Sequence, residues 1–220
     1  MKRILVCVIV FFCVWASPAT SSGKLEFEKS GERIPPGAVA AQIVGRLLID
    51  ASGEGQVVGY YTYLAGIPGP FFSGEPSEAT AYFTFRSTRF RTQVIPNGNI
   101  VHLLSVPVDV AATEVRIYFN GQPNGNFQSP DTFSDGQLIG TLQAQGSLGT
   151  AAGSTYTMAG TFDLVSASNF IFQGQRHNFR KLGDAVTLSQ TFGPPLSGSF
   201  SGGSVVVCFG GYALAAGGPR

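Results

Sequence analysis

The chain has 220 residues, 44% of them hydrophobic and only 12% charged, with 14 Lys and Arg against 13 Asp and Glu. That length suits one domain whose core is large enough to fold without disulfide staples. A near-neutral chain without a basic run cannot release counterions from a phosphate backbone, so no nucleic-acid partner is expected.

Residues 1–19 read as a cleaved export signal. Lys2 and Arg3 supply a positive start, residues 4–15 form an uncharged apolar run, and Ala16-Ser17-Pro18-Ala19 offers small residues to a signal peptidase. Cleavage is expected after Ala19, with Ala16 as the alternative. The run is shorter than the roughly 20 residues needed to cross a bilayer, so no transmembrane span is expected after cleavage. The expected location is secreted or periplasmic. Losing Lys2 and Arg3 would leave a surface near neutrality, weakly self-repelling and open to self-association or matrix contact. Cys7 and Cys13 would leave with the signal. Cys208 would then stand alone, and it is expected to be a buried, inert thiol within the apolar run 205–209.

Residues 20–37 are polar and end on Pro35-Pro36-Gly37, the pattern of a flexible linker. From residue 38 to residue 212 the pattern predicts an all-β domain, with residues 213–220 as a C-terminal tail. Short runs rich in Val, Ile, Tyr, Phe and Thr recur between Gly, Pro, Asn, Asp and Ser clusters. The best helix candidate, 107–114, is short and uncapped. In 79–86, Ala79, Ala81, Phe83 and Phe85 share one face, opposite Thr80, Tyr82, Thr84 and Arg86. In 114–119, Val115, Ile117 and Phe119 oppose Glu114, Arg116 and Tyr118. Such alternation predicts antiparallel sheet with one side on a core. Pro96-Asn97-Gly98-Asn99 predicts a hairpin turn. Consecutive hairpins predict a single antiparallel meander closed as a β-barrel, with a two-sheet β-sandwich as the alternative. The strand at 56–64 carries bulky groups on both faces, so both sides require cover.

Two loops stand out. Residues 65–78 place Phe71 and Phe72 in a Pro/Gly-stiffened segment, suited to a lid or a ligand-contacting wedge, or to tucking over the core. In 120–136, Asn120, Asn124, Asn126, Asp131 and Asp135 offer oxygen ligands to calcium. Phe127 and Phe133 there could stack on a sugar or an acyl chain. The spacing does not fit an EF-hand, and turn-forming chemistry accounts for the same composition, so no metal is expected. His102 shares a strand face with Ile100, Leu104 and Val106. It is either a hydrogen-bonded core histidine or an acid–base group inside a barrel cavity. His177 lies beside a turn and is expected to be solvated. No hydrolase elbow, phosphate loop, dinucleotide fingerprint or zinc spacing is present.

The leading expectation is a non-enzymatic β-barrel that binds a small apolar or amphipathic ligand through Phe71, Phe72, His102, Arg116, Phe127 and Phe133, without a cofactor. One alternative is a structural or adhesive extracellular protein. The other is a cofactor-free isomerase or cyclase using His102 or Arg116 inside the barrel. The balance leans away from an enzyme.

Overall fold

The computed structural model describes residues 33–152, 155–199 and 202–216. The expected signal (1–19) and most of the expected linker lie outside them. Twelve strands form: β1 (Val39–Ile49), β2 (Glu54–Leu64), β3 (Phe83–Ser87), β4 (Phe90–Asn97), β5 (Ile100–Pro107), β6 (Glu114–Phe119), β7 (Gln137–Ala152), β8 (Thr155–Ala167), β9 (Asn169–Phe172), β10 (Gln175–Asn178), β11 (Ala185–Ser199) and β12 (Gly202–Ala216). Residues 107–114 form no helix. The alternating run at 79–86 begins as loop, with Ala81 bridging to Phe72, and becomes strand at Phe83. β12 runs on to Ala216, which pairs with Ala185, so part of the expected tail is strand.

The antiparallel pairings close a ring of eight strands: β1–β12–β11–β8–β7–β6–β3–β2, with β2 returning to β1. This is the expected meander and barrel, not a two-sheet sandwich. Consecutive hairpins bring each strand beside its predecessor, and closure leaves the ring without an edge. β4 and β5 extend β3 and β6 beyond the ring as a hairpin. The hairpin stays attached at both sides, by Glu54–Arg91 and Gly55–Phe90 to β2 and by Val101–Ala151 and His102–Thr150 to β7. One end of the barrel therefore carries short turns and a raised wall. The other end carries the long loops 65–82, 120–136 and 168–184.

That second end is closed by aromatic packing. The β9–β10 hairpin and the short 3-10 helix Phe179–Leu182 fold under the barrel and bury Phe170, Phe172, Phe179 and Leu182. Phe83, fully buried, lies at the centre of this plug, with ring centroids 5.0 Å from Phe172, 5.4 Å from Phe119, 5.7 Å from Phe170 and 5.8 Å from Phe71. Edge-to-face and tilted pairs at these separations are favourable for aromatic quadrupoles. Residues 33–38 cross the plug, the Ile34 N–H donating to the Lys181 carbonyl and the Gly37 N–H to the Ala215 carbonyl.

The barrel wall is thin where β1 meets β2, because Gly45 faces Gly59 in register. A Cβ on Gly45 would lie 2.6 Å from the Phe209 ring, and one on Gly59 would lie 2.6 Å from the Phe85 ring. Both rings therefore rest on bare backbone, and side chains at either glycine would overpack the interior.

Cover for the outer face of β2 comes from the 120–136 loop. Val58 and Phe133 are fully buried there. Phe127 packs in a tilted pair on Phe133 at 4.9 Å, and the Arg46 guanidinium lies 4.1 Å over the Phe127 ring. The Thr84 hydroxyl donates to the Phe133 carbonyl, and Arg86 pairs with Asp131. The bulk on both faces of β2 is thus satisfied by the barrel interior on one side and a structured loop on the other.

Candidate functional site

Alternation along the ring strands and the raised hairpin sends a defined set of side chains inward. On β5 the inward set is Val101, Leu103 and Ser105, and on β11 it is Val186, Leu188, Gln190 and Phe192. These side chains do not fill the space. A cavity of about 700 Å³ remains within the barrel, within the range of small-molecule sites.

Its floor is Phe179 and Leu182 of the plug. Its middle is ringed by Ile43, Tyr61, Phe85, Val115, Met158 and Phe162, and Val94 and Val101 of the raised hairpin continue the wall. Ala51, Gly53, Val94, Pro194 and Pro195 line the cavity and are also exposed, so it opens to solvent at the short-turn end. The long-loop end is shut by the aromatic plug.

The lining is mostly apolar, with a few polar groups among it. Among the described residues no Lys, Arg or His lines the cavity, and Asp50 at the mouth is its one charged side chain. Asp50 accepts from the Ser52 hydroxyl and from the Ser52 and Glu54 backbone N–H groups, which together with Arg89 holds its carboxyl below the usual range. Tyr61 and Tyr156 also line the space. Burial pushes the Tyr61 phenol up and the Tyr156 phenol up to about 12, so both stay neutral near pH 7. Ser87 is occupied, its hydroxyl accepting from the Val57 N–H at 2.9 Å. Two residues lining the cavity, Gln190 and Thr113, each carry a buried oxygen, Oε1 and Oγ1, that has no hydrogen-bond partner among the described residues.

The side chains expected to contact a ligand lie elsewhere, for none of the six lines this cavity. Phe71 packs on Phe83 in the plug, and Phe72 meets the Tyr60 ring edge-on at 6.0 Å on the outer wall. Phe127 and Phe133 belong to the loop that covers β2. Phe133 is fully buried and has no face left for a sugar or acyl chain. His102 and Arg116 require correction as cavity groups. Since Val101 and Leu103 point inward, His102 between them points outward, where its ring hydrogen-bonds to Asn97 at 3.1 Å and Thr150 at 3.3 Å. Arg116, between inward Val115 and Ile117, donates to Glu114 on the outside. The structure brings Phe127 together with Phe133, sets Phe72 beside them through the shared Tyr60 ring (6.0 Å to Phe72, 6.3 Å to Phe127), and leaves His102, Arg116 and Phe71 apart.

The calcium candidates are committed to the loop itself. Asn120 Nδ2 donates to Asn124 Oδ1 and Asp135 Oδ1, Asn124 Nδ2 donates to Asp135, and Asp131 pairs with Arg86. Among the described residues no group of three His, Cys, Asp or Glu side chains converges as for a metal. Cys208 corrects another expectation: the thiol is free but half-buried, and alternation with inward Val207 and Phe209 puts it on the outer wall.

His177 is corrected as well. It is only 5% exposed, stacked on Phe170 at 5.6 Å within the plug. Desolvation, with a smaller contribution from Lys181, holds its pKa below the ordinary 6.5. The folded state therefore resists a proton that the unfolded chain accepts. The stability it contributes is complete above pH 6.5 and is lost as pH falls below that value toward the depressed folded pKa. Urea unfolding at pH 7.5 and pH 5 should show a larger acid loss in the unmodified chain than in His177→Phe. Equal losses would show that the ring does not titrate in this way.

No helix among the described residues is long and apolar enough to cross a membrane. Comparison with protein-family models, curated proteins and solved structures returns no match to the chain.

Proposed function

We propose that the chain is a non-enzymatic carrier or receptor for a small apolar or amphipathic molecule held inside the barrel, and that it acts after export to a secreted or periplasmic location. The observation that carries the reading is the cavity of about 700 Å³, open at one end and walled chiefly by hydrocarbon and aromatic side chains. Water in such a space finds few polar partners, and an apolar ligand gains by replacing it. The export half of the proposal rests on the charge and hydropathy pattern of residues 1–19. Against an acid–base enzyme stands the lining itself: among the described residues its titratable groups are two phenols held neutral and one carboxylate at the mouth.

Nile red is a suitable probe because it is neutral and brightens in apolar surroundings. Titration should saturate at one dye per chain with a dissociation constant in the micromolar range, about −8 kcal/mol. His102→Gln and Phe127→Ala should leave that binding unchanged, since both side chains lie outside the cavity. A dye signal that rises without saturating, or that follows the outer-wall variants, would count against an interior site.

A further inference from the structure

Gln190 is out of keeping with its surroundings. It shares the inward face of β11 with Val186, Leu188 and Phe192, and it is 3% exposed. Its side chain lies over Gly211 of β12, the residue paired with it in register. A Cβ on Gly211 would sit 3.0 Å from Gln190 Cγ and would collide with the Ser189 carbonyl. The missing side chain at Gly211 thus makes the berth in which the amide is held. Yet Gln190 Oε1 has no hydrogen-bond partner among the described residues, and neither has Thr113 Oγ1 in the same cavity. A buried amide left unpaired costs stability, and an apolar side chain of similar volume would avoid that cost. A ligand that supplies the missing partner accounts for it.

The form of that partner follows from the charges. A hydroxyl donates to Oε1 and can accept from Nε2 of the same amide. A carboxylate offers acceptors only. Its charge would be buried with no Lys, Arg or His among the described lining residues. We propose that the cavity selects uncharged, hydroxyl-bearing apolar molecules, alcohols of the lipid or terpenoid class, over carboxylates of the same skeleton, with Gln190 as the specificity-determining contact. This rests on the reading of the cavity as a ligand site.

The test is a matched series, 1-dodecanol, dodecanoate and dodecane, each displacing Nile red from the full chain at pH 8. Dodecanol should bind about tenfold more tightly than dodecane, the worth of one hydrogen bond to a buried amide. It should also exceed dodecanoate by tenfold or more, on the order of the penalty for burying an unpaired charge. Gln190→Leu should still take up the dye and should bring dodecanol and dodecane to within about twofold of each other. Should that variant fail to fold, the three-ligand comparison on the unmodified chain still decides the question. The proposal is overturned if dodecanoate matches dodecanol, if none of the three displaces bound dye, or if the alcohol preference survives in Gln190→Leu. A chain that binds neither the dye nor any of the three overturns the cavity reading itself.

Discussion

Replacing Phe83 by Ala is expected to cost about 3–5 kcal/mol of folding stability, a large part of the 5–15 kcal/mol that domains ordinarily possess. The ring is fully buried and touches the β9–β10 hairpin through Phe170 and Phe172, the barrel through Phe119, and the 65–82 loop through Phe71. Removing it forfeits the transfer energy of the ring and leaves a hole that four neighbouring rings cannot all close. The cost should fall unevenly over the structure. Phe83 is one of the rings that join the plug to the barrel, beside Phe119 and Tyr61, so amides of β9 and β10 should lose more protection from exchange than those of β1 and β12. Urea unfolding measures the total and hydrogen exchange the distribution. A loss under about 1.5 kcal/mol, or uniform loss of protection, would mean that the plug is held by other contacts.

The second large effect concerns binding. Ala144 lies on β7 with its backbone N–H donating to the Thr113 carbonyl, and its methyl group lines the cavity. Ala144→Trp should project an indole into open space, not into packed side chains. The overpacking penalty common to small-to-large core changes should therefore be small. Nile red affinity should fall at least about tenfold, a loss of 1.4 kcal/mol or more, while the urea midpoint holds or rises. Weaker binding with lower stability would indicate a distorted barrel. Unchanged binding with unchanged stability would place the dye outside the interior.

How much of this was legible in the sequence depended on whether one strand face was clearly polar. Val115 and Ile117 against Glu114 and Arg116 showed a face for the core and a face for solvent, and the structure obeys it. Placing Arg116 in a cavity went against that alternation. β5 was ambiguous, because Ile100, Leu104 and Val106 are as apolar as Val101 and Leu103. The pattern grouped His102 with the former set and could not say that the latter faces inward. The demand of β2 for cover on both sides was legible, but its answer was tertiary: the loop carrying Phe127 and Phe133 lies about 70 residues away in the chain. The plug was likewise hidden. Residues 170–173 and 177–182 have the composition of ordinary strands, and nothing local says that they fold under the barrel and carry His177 with them. Gln190 did leave a signal that went unread. It is the single polar residue in the alternate series Val186, Leu188, Gln190, Phe192, and a lone amide on an apolar strand face marks a buried polar contact.

The most direct measurement is a crystal structure of the chain grown with 1-dodecanol. Elongated density is expected inside the barrel between Met158 and Val115, with the hydroxyl within hydrogen-bond distance of the Gln190 amide. A barrel whose own side chains close the interior, or density only on the outer wall near Phe72 and Phe127, would contradict it.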